Sequence, residues 1–228
     1  MNFGRIIALI GDWIILITEW IGTVSFAVSG SLVAIHYSLD LFGVLTVGCV
    51  TTVGGCIIRD LLIGNLPPKI FFNPLILLVA VLTSLAVFLV SYAYRRNFER
   101  IRKVTEMINV FFDALGLAAF SISGIETACL SSFESNALLT VTVGVITGVG
   151  GGILRDVLVN EKPAVFTKHV YAVVSIVGCC FYYWLGIGIN RKISATVLVI
   201  LFTVLIRILA AKFHWKLPKI RLDSEKTD

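Results

Sequence analysis

The sequence predicts an all-α integral membrane protein: seven transmembrane helices, arranged as two inverted three-helix repeats plus a seventh helix. Three observations predict it. The mean hydropathy is +0.95, and 57% of residues are hydrophobic while 14% are charged, against roughly 25% charged in a soluble domain. Seven apolar segments take up most of the 228 residues, each close to the roughly 20 residues that a span needs. One eight-residue stretch occurs twice: residues 53–60 read VGGCIIRD and residues 149–156 read VGGGILRD, identical at six positions.

In order, the spans fall at residues 13–35, 41–63, 73–94, 108–130, 137–159, 169–189 and 193–213. Asp40, Pro67, Pro68, Asn73, Pro74, Glu134, Asn136, Pro163, Arg191 and Lys192 punctuate them. The chain is one membrane domain: repeat 1 over 13–94, a basic inner loop over 95–107, repeat 2 over 108–189, the seventh span over 193–213 and a cytoplasmic tail over 214–228. Arg5 before an apolar stretch imitates a signal peptide, but the run that follows is too long, so it reads as a retained span.

The first and fourth spans match at an offset of 94. Glu19, Gly22, Phe26, Ser29 and Gly30 pair with Asp113, Gly116, Phe120, Ser123 and Gly124. The second and fifth match at an offset of 96, where Arg59, Asp60 and Pro67 pair with Arg155, Asp156 and Pro163. A unit of three spans starts and ends on opposite sides of the membrane. With only a loop between them, the second unit is therefore inverted, an architecture common in transport proteins. Lys and Arg counts set the orientation. With the N-terminus outside and the C-terminus in the cytoplasm, twelve fall in inner segments and four in outer ones, which is the favoured bias.

The second and fifth spans carry the candidate functional residues. Gly54 and Gly55, and Gly150, Gly151 and Gly152, lie just past mid-span. Glycine weakens a helix, so a kink or break is expected there, turning backbone groups toward a wet path. The ladder Gly144, Gly148 and Gly152 alone reads as close helix packing. Arg59, Asp60, Arg155 and Asp156 follow within the same spans, and charges there mark function by default. A buried arginine needs a partner. Depth along the spans offers Glu19 to Arg59 toward the outside and Asp113 to Arg155 toward the inside. The structural alternative is a set of pins, or arginines snorkelling to the headgroups. Thr51, Thr52, Thr147, Ser25 and Ser29 are among the hydroxyls able to line a path or cap the helices. Arg207, alone in the seventh span, reads as snorkelling.

Other chemistries find no motif. The sequence holds no nucleophile–base pair, phosphate loop or metal spacing, so neither an enzyme nor a cofactor is expected. Cys49, Cys56, Cys129, Cys179 and Cys180 all sit in apolar runs as packing residues. The net charge of +5 reflects orientation, not nucleic-acid binding.

With its two inverted three-span repeats, seventh span and doubled VGG-x-I-x-RD motif, the chain resembles the prokaryotic TRIC family, relatives of the trimeric intracellular cation channels. The resemblance covers residues 13–213. It implies a homotrimer in membrane lipid, one hourglass pore per protomer, potassium ions as the main permeant species, and gating at spans two and five. On the motif, Gly54, Gly55, Gly150, Gly151, Arg59, Asp60, Arg155 and Asp156 carry over. No potassium-filter sequence of the TVGYG kind occurs, so selectivity is expected to be weak. The alternative is a secondary transporter of a small zwitterion such as glycine.

Overall fold

The computed structural model describes residues 3–94, 98–167, 170–189, 191–213 and 215, with side chains from residue 12 onward except those of 98–102 and 170. Arg95, Arg96, Lys168 and the tail residues Lys216, Lys219, Arg221 and Lys226, which weigh in the orientation count, lie outside them.

The helices are α1 (Phe3–His36), α2 (Leu41–Leu62), α3 (Pro74–Ala93), α4 (Phe98–Ala128), α5 (Ala137–Leu158), the short α6 (Ala164–Thr167), α7 (Val170–Tyr182) and α8 (Lys192–Lys212). A 3-10 turn, Lys69–Phe72, precedes α3. A wide π turn extends α7 over Tyr183–Gly188, whereas the chain after α4 leaves the helix at Ser131 and Ser132, the latter left-handed (φ +68°). Among the described residues seven helices are long and apolar enough to cross a membrane, and the sequence-predicted spans coincide with them.

Two ends differ from expectation. α1 begins at Phe3, well ahead of residue 13. Residues 98–107, expected within an inter-repeat loop, are helical and continue α4 toward its N-terminus. Their composition explains it: the stretch is rich in Glu, Arg, Lys and Met, all good helix formers even where the chain is polar.

The repeats share their local chemistry as well as their residues. Asp40 and Asn136, 96 positions apart, cap α2 and α5, accepting the amides of Gly43 at 2.8 Å and Leu139 at 3.1 Å. Gly64 (φ +77°) and Asn160 (φ +59°), also mates, take the left-handed conformation past each C-terminus. There the amides of Asn65 and Glu161 reach back to the carbonyls of Asp60 and Asp156, both at 2.8 Å. This is the Schellman closure, which satisfies the last carbonyls of a helix.

α1 and α4 pack against one another at the centre, with α2 and α5 crossing beside them. α3 lies on α1 and α2, while α7 lies on α5 and α4. α8 breaks the pattern, because it packs on α4 and α7 and, among the described residues, has no counterpart beside their mates α1 and α3.

Candidate functional site

The glycine-rich segments do not break. α2 and α5 run as uninterrupted α-helices through Gly54, Gly55, Gly150, Gly151 and Gly152. This corrects the expected break, and the reason is steric. A methyl group at Gly55 would run into the carbonyl oxygen of Thr147, and one at Gly151 into that of Thr51. A methyl at Gly150 would lie 3.2 Å from the Gly55 Cα. The glycines are therefore small so that two backbones can meet, the small-residue crossing of membrane helices. Thr51 and Thr147 flank the crossing, and each donates its hydroxyl to the carbonyl four residues back, at 2.6 Å. Gly54 faces only the end of the Leu154 side chain, and Gly152 leaves room for the Tyr171 hydroxyl.

Both expected ion pairs are present. Arg59 Nη1 lies 3.2 Å from Glu19 Oε1, and Arg155 Nη1 lies 2.7 Å from Asp113 Oδ1. Each arginine also turns its Nε to the next residue, Asp60 or Asp156, at 2.9 Å. Those aspartates have a second task. Asp60 Oδ2 accepts the Lys69 amide at 2.8 Å and Asp156 Oδ2 accepts the Ala164 amide at 2.7 Å. They thus fasten the loop that follows α2 or α5 to the helix it leaves.

The arginines tie the repeats together in a way the sequence left unread. Arg59 donates to Ser123 Oγ at 3.2 Å, and Arg155 donates to Ser29 Oγ at 2.7 Å. Ser29 and Ser123 are mates, so each repeat's arginine binds the other repeat's serine. The offset of 94 was the available signal. No pairing rule says that the bond crosses between repeats.

The Asp113 end carries more charge than the Glu19 end. Arg207 of α8 donates to Asp113 Oδ2 at 2.8 Å, and its guanidinium carbon lies 4.3 Å from the Tyr171 ring centre. Arg207 is only 5% exposed, which corrects the snorkelling expectation: a carboxylate and an aromatic face hold it inside. Glu126 is a further buried acid, one that sequence reasoning missed. It is fully buried, 2.7 Å from Lys192 Nζ, and it accepts the Tyr182 hydroxyl at 2.8 Å.

Two cavities lie against these clusters and share no lining residue. One, of about 180 Å³, is lined by Glu19, Thr23, Thr52, Cys56, Arg59 and Phe120 among others. The other, of about 320 Å³, is lined by His36, Tyr37, Glu106, Asn109, Arg155 and Asp156 among others. The Tyr37 phenol, beside the second, is pushed up to about 12 by its hydrogen bond to Glu161, so it stays a neutral donor. Phe26 and Phe120 stand between, with ring centroids 5.1 Å apart and Cys56 packed on them. Along α1, Glu19 and Ser29 are ten residues apart, about 15 Å of helix, and Phe26 falls in that interval. Among the described residues no group of His, Cys, Asp and Glu is placed to hold a metal.

Inverted repeats, two opposed cavities and buried ion pairs at each define the architecture of membrane channels and transporters. The chain belongs to the glycine-transporter family, whose model matches it twice, over residues 16–92 and 110–186, once for each repeat. It is 37% identical to the UPF0126 inner membrane protein YadS of Escherichia coli strain K12, over 89% of this chain and 94% of that one. It is 35% identical to the UPF0126 membrane protein YvgT of Bacillus subtilis strain 168, over 90% and 96%. Among solved structures it is similar to a prokaryotic TRIC channel in 0.5 M KCl, with 34% identity, a TM-score of 0.78 and coverage of 90% of this chain and 100% of that one. The TRIC orthologue from Rhodobacter sphaeroides gives 26%, 0.77, 88% and 98%. A structure from work on conductance through TRIC cation channels gives 36%, 0.74, 91% and 97%. The fold is that of the prokaryotic TRIC channels, as the motif resemblance implies.

Proposed function

We propose that this protein is a monovalent cation channel that passes potassium ions, with a path through each protomer. The path runs from one cavity to the other, past Phe26 and Phe120 and beside the α2–α5 crossing. The observation that carries the reading is the opposed pair of cavities, each with an arginine whose charge is cancelled by acids. A bare guanidinium at a narrow mouth repels cations. At the Glu19 end one arginine meets two acids, and at the Asp113 end two arginines meet two. Neither end therefore opposes a cation. The apolar Phe26–Phe120 contact corresponds to a closed state, and opening is a shift of α2 and α5 at their crossing. Thr51, Thr147, Gly54, Gly55, Gly150, Gly151 and Gly152 are the residues such a shift moves.

The chain assembles as a homotrimer in membrane lipid, a reading supported by the name of the TRIC orthologue, and sits in the inner or plasma membrane, a reading supported by the relative YadS. The N-terminus lies outside and the C-terminus in the cytoplasm, so the Glu19 end is the outer one. The test is flux in liposomes holding purified protein, under a potassium gradient and separately under a glycine gradient. Unitary potassium currents without saturation are expected. Saturable glycine uptake without such currents would overturn the reading in favour of a secondary transporter, which the family's description supports.

A further inference from the structure

The cavity at the Glu19 end contains a group that the channel reading leaves unused. Thr23 is fully buried, its hydroxyl has no hydrogen-bond partner, and it lines the cavity. A buried hydroxyl left unpaired costs on the order of 1–3 kcal/mol, unless something in the cavity binds it. Glu19 stands one turn away on the same face of α1, with its side chain 20% exposed. Thr52 closes the other side from α2. Its hydroxyl donates to the Gly48 carbonyl at 2.9 Å and lies 3.4 Å from the Thr23 carbonyl oxygen, a contact between acceptors that leaves both hydroxyl lone pairs unused.

We infer that Thr23, Thr52 and Glu19 form a binding site for a partly dehydrated monovalent cation. The donors are oxygens, which replace the water of a hard cation. The nearby charges favour a cation, since Glu19 and Asp60 outnumber Arg59 within the buried cluster. The side chain of Lys69, which also lines the cavity, is exposed. A divalent ion is a poor fit, because calcium takes six to eight oxygens and magnesium gives up its waters reluctantly, and Asp60 is already held by Arg59 and the Lys69 amide. The site is one-sided. The mate of Thr23 is Leu117, packed with Val149 and Tyr171, and the mate of Thr52 is Gly148. The Asp113 half of the path thus has no equivalent pair of hydroxyls.

This inference deepens the channel reading, and one set of samples separates the two. Crystals of the full chain soaked in a thallous salt, a potassium-sized probe with strong anomalous scattering, are expected to show a peak within coordination reach of the Thr23 and Thr52 hydroxyls and Glu19. The peak is expected to survive Thr23→Ser and to vanish in Thr23→Val with Thr52→Val, in protein that elutes like the parent. No peak in the parent, or an undiminished one in the double valine variant, overturns the site. A matching peak beside Leu117 and Gly148 overturns its one-sidedness. Potassium flux of the same preparations decides the channel separately. Flux without a peak removes the site and keeps the channel, whereas a peak without flux keeps the site and removes the channel.

Discussion

At the residue scale the decisive fact is that each buried charge has its partner, but the two ends are not equivalent. Asp113 holds Arg155 on one oxygen and Arg207 on the other. Glu19 holds one arginine and is partly open to its cavity. Removing one member of a buried pair costs roughly 3–5 kcal/mol, because the other is left uncompensated. Asp113→Asn leaves Arg207 without its carboxylate and Arg155 with Asp156 alone, and is expected to lower thermal stability in detergent more than Glu19→Gln does, which leaves Arg59 its bond to Asp60. Equal losses would mean that Arg207 draws its stability from the Tyr171 ring instead. A double-mutant cycle of Glu19→Gln with Arg59→Gln is expected to show coupling, and additive losses would remove the pair. The arginine–acid pairs within each repeat were legible because depth along a span is countable from sequence. Arg207 was not, since the seventh span has no mate to supply its partner. Glu126 escaped for the same reason: position 32, its mate in repeat 1, is leucine.

At the element scale, seven spans and an inversion followed from hydropathy and parity, and the boundaries at Asp40 and Asn136 followed from turn chemistry, while their capping of α2 and α5 shows only in the structure. The glycine pairs show where such reading stops. A glycine serves a helix either by its freedom to bend or by its lack of a side chain, and the same letters fit both. Only the facing helix decides, and here Thr147 and Thr51 present backbone carbonyls to the missing Cβ positions of Gly55 and Gly151. This turns into a graded prediction. Gly55→Ala and Gly151→Ala force backbone apart, and overpacking of that kind costs roughly 1–3 kcal/mol. Gly54→Ala meets only the flexible end of Leu154 and is expected to be much milder. Unfolding midpoints of the three variants check the order. If Gly54→Ala is the worst, the glycine serves a bend after all. In flux measurements the same order is expected, since a crossing held apart cannot move as the parent does.

At the scale of the molecule, the inverted repeats supply two matching charge clusters, each beside a cavity, and α8 makes them unequal. That helix is pinned to α4 by two ion pairs, Lys192 with Glu126 near its start and Arg207 with Asp113 near its end. Only the second pin touches the cluster beside the path. α8 can thus act in two ways: as a strut that fixes α4, or as the carrier of one extra positive charge at the Asp113 end. The two roles make different predictions. Arg207→Gln loosens the helix and also leaves Asp113 and Asp156 in excess of Arg155, giving this end the balance already found at Glu19. Lys192→Gln loosens the helix at its other end and leaves that balance untouched. If charge is what α8 contributes, Arg207→Gln alone is expected to make the potassium current of oriented channels in a planar bilayer more nearly equal in the two directions. If the strut matters instead, the two variants are expected to alter opening alike and leave the directional ratio unchanged. The charge role is favoured, because Arg207 approaches Asp113 on the oxygen that Arg155 leaves open, and a charge held within a protein acts through a lower dielectric than one in bulk water.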